Sequence, residues 1–430
     1  MKKMAIYISM GLVLFAAVGF ASENNVPQAN TDMSGYNLHQ IFTIALENNP
    51  GLQALKLELQ AADARTIQSG LWPNPVFTAE SENFSGDLPG FNYTENTFSL
   101  EQPLSLGGKI NLQKQLSEQE KLILSYHYEA EKIALISDVE HGVYHVLVTK
   151  KILEHTREAQ NNARKLYDFI RGKKNVKDSD QSRYEILSAQ IELSQAELEI
   201  ADAERDLHIA NNNLSILCGG DDIFLKGVKG DLDRKFNIPE YDILKEIIVK
   251  KNFNLKSADA YEERAGILLN IAKADRIPDV DLGFGVRQFE EDNSYTFVAG
   301  LSVPLPLFNR NQGSIQEAAI NKDKVVVDKK ILLNELLIKL NEYYQEYNIS
   351  LQQVASYKNS ILPSTQEYYD LTVNSYEQGS LDYLDALVAE RKLIETKKKY
   401  EAALHTLQNA VANLENLCSQ HFHGINGEVF

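Results

Sequence analysis

Cysteine is nearly missing from this chain. Among 430 residues only Cys218 and Cys418 carry a thiol, so a fold built on disulfides is excluded. Proline is sparse as well, and none lies between Pro103 and Pro239, which leaves room for helices of unusual length. Basic residues are outnumbered, 43 Lys and Arg against 60 Asp and Glu, for a formal charge of −17. Such a surface repels phosphate backbones and speaks against a nucleic-acid partner, while it suits a path for cations. Beyond residue 21 no uninterrupted apolar run reaches about 18 residues, which excludes an ordinary transmembrane helix and leaves strands as the only means of crossing a bilayer. No serine, histidine and acid set, no paired catalytic carboxylates and no cofactor fingerprint stands out, so neither an enzyme nor a bound cofactor is expected. The hydrophobic content, 43%, is that of an ordinary folded protein, and disorder is not the expectation.

The N-terminus has the composition of a secretory leader. Met-Lys-Lys is followed by an apolar run from Met4 to Phe20 that closes on Gly19-Phe20-Ala21, predicting cleavage after Ala21. Ser22 follows, not cysteine, so no lipid acceptor is expected there. Residues 22–37 are polar and read as a linker. From Leu38 to Leu71 apolar residues keep three-and-four spacing, interrupted at Asn48-Asn49-Pro50-Gly51, which predicts two helices and a turn. Strands are expected over 76–84 and 93–102, around the loop Ser85-Gly86-Asp87-Leu88-Pro89-Gly90. Helical patterning then runs from Gly108 to about Arg171, near 100 Å at a rise of about 1.5 Å per residue. A polar break at 172–178 separates it from a second long pattern that ends at Cys218-Gly219-Gly220, making a helical hairpin. Residues 221–239 read as an irregular connector.

The whole order then recurs. A helix pair spans Tyr241 to Asp275 with a break at Lys251-Asn252-Phe253-Asn254. Strands are expected over 280–290 and 295–303, and a long helix runs to Glu377, interrupted only at Pro363. A turn at 377–381 leads to a last helix ending at Cys418, with a tail over 419–430. In that helix Leu384, Leu387, Ile394, Leu404, Leu407, Val411, Leu414 and Leu417 have coiled-coil spacing. Each half is thus helices, two strands, a long helix, a turn and a long helix. At both strand-to-helix junctions proline appears, Pro103 in LEQPLSLGGK and Pro304 with Pro306 in LSVPLPLFNRNQG. The expectation is a strand handing over directly to a helix. Four strands cannot close a barrel, and open edges in lipid cost several kcal/mol per unpaired group, so strands in a bilayer would require further copies of the chain.

Other candidate sites are weaker. Gly107-Gly108-Lys109 lacks the frame of a phosphate loop, because Pro103 stands where its first glycine belongs and Ile110 follows the lysine. His141 and His145, four apart with Asp138 and Glu140 near, have a spacing that can hold zinc but no third ligand at fixed spacing, and helix packing is expected instead. His421 and His423 lie in the tail with no metal role assigned. No residue is assigned as a metal ligand. Cys218 and Cys418 end the matched segments NLSILC and NLENLC and are expected as two buried free thiols, a disulfide remaining chemically open. The tyrosines Tyr343, Tyr344, Tyr347, Tyr368, Tyr369 and Tyr376 are expected to pack helices. Asp180 and Asp385 each follow a helical turn, where an aspartate commonly serves as a helix cap.

LEQPLSLGGK, LSVPLPLFNRNQGSIQEA and the segment ILPSTQEYYDLTVNSYEQGSLDYLDALVAERKLIE over residues 361–395 together resemble the TolC family of outer-membrane efflux proteins, from Leu38 to Leu417. Asn309-Arg310-Asn311-Gln312-Gly313 is most similar to the heavy-metal branch of the CzcC and CusC type. The resemblance implies a mainly α fold with a membrane β-barrel. In it a homotrimer contributes four strands per chain to a 12-stranded outer-membrane barrel and long helices to a periplasmic α-helical barrel. It implies a periplasmic adaptor and an inner-membrane resistance-nodulation-division pump as partners, with outer-membrane lipid around the strands. Asp180 and Asp385 match the aspartates that close the periplasmic end in the family. Val388 stands where a second gating aspartate would be, and Lys174 where the first tip would carry glycine. Gly172 or Asn175 would then supply the first tip turn and Gly379 the second. The implied function is the exit duct of a tripartite efflux system for metal cations, with drugs or a secreted polypeptide as alternative cargo. A soluble periplasmic coiled-coil scaffold is the alternative of another class.

Overall fold

The computed structural model describes residues 35–84, 90–172, 180–220, 227–234 and 236–422. The expected leader, the linker up to residue 34, the tip residues 173–178 with Asn175, residues 221–226 of the connector and the tail from His423 lie outside the described residues. The chain divides into two units, Met1–Ser34 and Gly35–Phe430, and every helix and strand named below belongs to the second.

Helix α1 (Leu38–Asn48) opens on a capping box formed by Asn37 and Gln40. Helix α2 (Pro50–Ser69) follows with proline in its first turn, where the missing N–H leaves no bond unmade. Strands β1 (Val76–Glu82) and β2 (Glu95–Leu104) lead to α3 (Lys109–Gly172) and α4 (Asp180–Leu217). The second half supplies α5 (Tyr241–Lys251), α6 (Phe253–Ala274), β3 (Val280–Phe289), β4 (Ser294–Ser302), α7 (Gln312–Ser356), α8 (Leu362–Glu377) and α9 (Tyr383–Cys418). At 64 residues α3 extends for about 96 Å. The break between α7 and α8 is a π-helical turn over Tyr357–Ile361, in which the Leu362 N–H reaches back five residues to the Tyr357 carbonyl. Pro363 cannot donate and would collide with the preceding turn of a regular helix, and the wider turn ahead of it accommodates both.

The two halves repeat down to single hydrogen bonds. Asn49 caps α2 by accepting from the Leu52 N–H at 3.1 Å and donates from Nδ2 to the Leu217 carbonyl at 2.9 Å. Asn252 does the same for α6, accepting from the Leu255 N–H at 3.1 Å and donating to the Leu417 carbonyl at 2.9 Å. Each asparagine therefore starts one helix and holds the end of the last helix of its own half. Because Asn252 is only 3% exposed, replacing it by alanine leaves a buried carbonyl and a buried N–H unpaired. Asn252→Ala should cost about 2 kcal/mol, and the partly buried Asn49→Ala about 1, read from chemical or thermal unfolding of the detergent-solubilised protein. Cys218 and Cys418, just beyond these ties, are free and buried, as expected.

The main core runs where α3, α4, α7 and α9 meet, through Val139, Val143, Leu147, Leu214, Leu340, Leu407, Val411 and Leu414, with α1 and α5 packed against it by Ile41, Phe42, Leu244 and Ile248. A second cluster, Ile170, Ala189, Tyr376, Tyr383, Ala386 and Leu387, joins α3, α4, α8 and α9 at the far end of the hairpins. The strands form one antiparallel sheet in the order β1-β2-β3-β4, so β1 and β4 are open edges of this chain. No helix among the described residues is long and apolar enough to cross a membrane.

Candidate functional site

Cross-strand register decides the character of the sheet. Glu80, Thr97, Arg287 and Thr296 stand abreast across the four strands, and Phe77, Leu100, Phe284 and Ala299 form another row. Because side chains alternate along each strand, these rows belong to opposite faces. All charged residues of the strands, Glu80, Glu82, Glu95, Glu101, Asp281 and Arg287, fall on the first face. The second face has no charge and exposes Phe77, Phe98, Leu100, Phe284, Tyr295, Leu301 and Phe297, the last 91% exposed. One side suits hydrocarbon and the other water, the arrangement of a membrane strand whose inner face lines a polar lumen. On the polar face Arg287 donates to Thr97 Oγ1 at 2.9 Å and to Glu95 Oε2 at 3.0 Å, and it is the one cation among the six charged strand residues.

The junctions differ from the direct strand-to-helix passage expected. Pro103 lies inside β2, opposite Asp281, and no β1 residue stands beside it because β1 begins at Val76 opposite Glu101. Its missing N–H therefore leaves no β1 carbonyl unpaired. Only four residues then separate β2 from α3, and they turn through Gly107 and Gly108 at φ +71° and +74°. A Cβ on Gly107 would sit 3.1 Å from Ile277 Cδ1, so both backbone sign and space require glycine there. Lys109 donates to Asp279 Oδ1 at 2.9 Å and the Leu106 N–H to the same oxygen at 3.0 Å, which ties the first junction to the entry of β3. Gly-Gly-Lys is thus a hinge and a clamp. The second junction is longer: Pro304 and Pro306 lie in irregular chain beyond β4, and α7 begins at Gln312, not at the prolines. Asn311 takes the left-handed conformation there, φ +56°, and its Nδ2 donates to the Ala272 carbonyl at 2.8 Å. The side chains of Asn309 and Gln312 accept from the Asn311 and Arg310 N–H groups, and this turn chemistry, not proline, aims the helix.

At the opposite end the two aspartates occupy matching first turns and both are exposed. Asp180 is the first residue of α4. Asp385 lies in the first turn of α9, where its Oδ2 accepts from the Asp382 N–H at 3.3 Å, the acid's part in a capping box. Val388, one turn on, is 57% exposed, and Leu381 and Leu384 near the same helix start are exposed as well, so apolar side chains accompany the carboxylate at the surface. Gly379 makes the turn before α9 at φ +79°. Gly172 does not turn; it closes α3 within helical geometry. Behind the turns Tyr383 is buried edge-on to Tyr376, with ring centroids 6.3 Å apart, and Tyr376 meets Phe169 at 5.8 Å. Arg391 pairs with Glu192 and Lys398 with Glu199 between α9 and α4, and Lys397 with Glu158 between α9 and α3.

The histidine pair of α3 packs against α9: His141 contacts Asn409 Oδ1 at 2.7 Å and Asn413 Oδ1 at 3.1 Å, and the His145 ring lies 5.6 Å from that of His405. Sequence reasoning passed over a different set. Residues 387, 390, 394, 397, 401, 404, 408, 411, 415 and 418 of α9 follow one three-and-four stripe, in which Glu390, Lys397, Glu401, Gln408 and Glu415 are polar. Glu390 is 6% exposed, and one of its oxygens has no hydrogen-bond partner among the described residues. Burial, with Glu192 beside it, pushes this carboxyl up to about 7. The signal in the sequence was an acid placed between Leu387 and Ile394 at core spacing.

The model of the outer membrane efflux protein family matches residues 42–220 and 246–419. The cobalt-zinc-cadmium resistance protein CzcC of Cupriavidus metallidurans is 24% identical over 433 residues, covering 96% of this chain and 99% of its own. The cation efflux system protein CusC of Escherichia coli K12 is 24% identical, covering 83% of this chain and 81% of its own. Among solved structures, CusC superimposes with a TM-score of 0.75 at 19% identity over 89% of this chain and 91% of that one. The Vibrio cholerae outer membrane protein VceC gives 0.74 at 16% identity over 90% and 97%. With helical hairpins, an amphipathic four-stranded sheet and a family model matched across both halves, the chain belongs to the outer membrane efflux protein family.

Proposed function

We propose that three copies of this chain close a 12-stranded barrel in the outer membrane and a helical tunnel beneath it, forming the exit duct of a tripartite efflux system for metal cations. The observation that carries the reading is the sheet: one uncharged apolar face, one acidic face and two open edges, which only further copies can pair without stranding backbone groups in lipid. The duct is passive, driven by an inner-membrane resistance-nodulation-division pump and reached through a periplasmic adaptor. Asp180 and Asp385 stand at its narrow periplasmic end. The acidic lining lowers the barrier to cations and raises it to anions, which favours a cationic cargo over a drug or polypeptide. The names of CzcC and CusC, a cobalt-zinc-cadmium resistance protein and a cation efflux protein, point the same way.

Deletion of the gene should sensitise cells to one or more of cobalt, zinc, cadmium, copper and silver salts while leaving a drug panel unchanged, and the wild-type copy should restore growth. Sensitivity to drugs alone would keep the duct and reassign its cargo.

A further inference from the structure

Among the described residues one group of side chains has the composition and closeness of a metal site, and it lies far along the helices from the tip aspartates. Glu140 of α3, Glu415 near the end of α9 and His421 just beyond that helix bring one ligand atom each within 4.8 Å of one another. Glu415 is 3% exposed and Glu140 7%, so neither carboxylate is a solvated surface acid. Glu415 is already oriented, accepting from the Phe422 N–H at 2.8 Å and lying 2.9 Å from His421 Nδ1. Glu140 is different. Its carboxyl enters the group from another helix, α3, so the three side chains join two helices and the segment just beyond α9.

Two carboxyls and one imidazole make up the group. Arg234 is the basic residue that faces it, and its guanidinium also hydrogen-bonds Tyr144. We infer that Glu140, Glu415 and His421 form a binding site for one divalent cation of borderline character, such as Zn2+ or Co2+, which clips the C-terminal segment to α3 and α9. Two carboxylate oxygens and one imidazole nitrogen are the donors such ions accept, with water completing the shell. Ligand atoms on a tetrahedral zinc ion stand about 3.4 Å apart, so the spacing present here closes with small side-chain rotations. The Phe422 N–H holding Glu415 and the Phe42 ring beside His421, 6.3 Å between centroids, are the outer contacts that fix ligand orientation.

The test uses the detergent-solubilised protein, stripped with EDTA, dialysed and titrated with CoCl2 or ZnCl2. Visible absorption and elemental analysis report binding, and the thermal midpoint reports its consequence. Wild type should bind one Co2+ per chain in the micromolar range and gain several degrees in midpoint with excess Zn2+. Glu140→Gln and His421→Ala should each weaken Co2+ binding at least tenfold and abolish the Zn2+-dependent gain. The exposed Glu395→Gln should change neither. Glu140→Gln keeps the side-chain shape and removes a carboxylate ligand, so it decides the matter should His421→Ala not fold. Absence of a stoichiometric ion in wild type, or binding that survives Glu140→Gln, overturns the assignment. Either result leaves the exit-duct reading standing, because metal sensitivity of the deletion strain is scored separately.

Discussion

Replacing Asp180 and Asp385 together by asparagine should raise single-channel conductance in a planar bilayer several-fold at low voltage, with the pore keeping its preference for cations. In the proposed duct the carboxylates of several copies would surround a narrow opening and repel one another, and a bound cation or a closed, solvated arrangement would relieve that repulsion. Asparagine is the informative replacement, because Asp385 also accepts the Asp382 N–H at the start of α9. An amide oxygen preserves that bond while the charge goes, whereas Asp385→Ala removes both and should additionally cost about 1 kcal/mol of helix capping. If only the alanine variant opens the pore, the effect belongs to the loosened helix start. If neither double replacement changes conductance, the two aspartates do not gate the pore, and the exposed Leu381, Leu384 and Val388 are the next place to mutate.

Glu390→Gln should stabilise the protein at pH 8 by about 3 kcal/mol and make no difference near pH 4.5. Burial and Glu192 push the folded-state Glu390 carboxyl up to about 7 from an ordinary 4.5, so the folded chain holds this proton more tightly than the unfolded chain does. Below the unfolded value both states are protonated and the carboxyl imposes no penalty. Between about 4.5 and 7 the unfolded chain alone ionises freely, and the penalty on folding grows with pH until it levels off above the folded value. Asn162 already hydrogen-bonds this carboxyl, and an uncharged amide can keep that contact. Unfolding midpoints of wild type and variant measured from pH 4.5 to 8 should therefore diverge as pH rises. Parallel curves would mean that Glu390 is hydrated and ionised in the folded protein.

Asp180 and Asp385 were legible as positions, whereas Glu390, an acid inside the core stripe of α9, was passed over until its surroundings were seen. The strands of the second half announced themselves by alternation, because Val280, Leu282, Phe284 and Val286 recur every second residue and only a strand places them on one face. The first hairpin, with Glu80 and Glu82 opposite Phe77 and Ala79, looked impure when read alone. Its logic appears once Glu80 pairs with Thr97 and Thr97 with Arg287, in a register that joins residues nearly two hundred apart. The junction prolines were visible, but the turns that redirect the chain depend on left-handed backbone at Gly107, Gly108 and Asn311 and on hydrogen bonds to Asp279 and Ala272. Local sequence names residues that tolerate such geometry without saying which will adopt it.

By itself the sequence determined the repeat, the order of helices and strands, the absence of a spanning helix and the matched aspartates, because periodicity, proline placement and charge are local properties. Tertiary structure alone decided that every strand charge shares one face, that Asn49 and Asn252 hold the ends of helices begun far away, and that Glu140, Glu415 and His421 meet. Each of these depends on which distant segment a side chain faces, and that is fixed by the packing of long helices against one another, which three-and-four spacing permits in many registers and only the whole core selects.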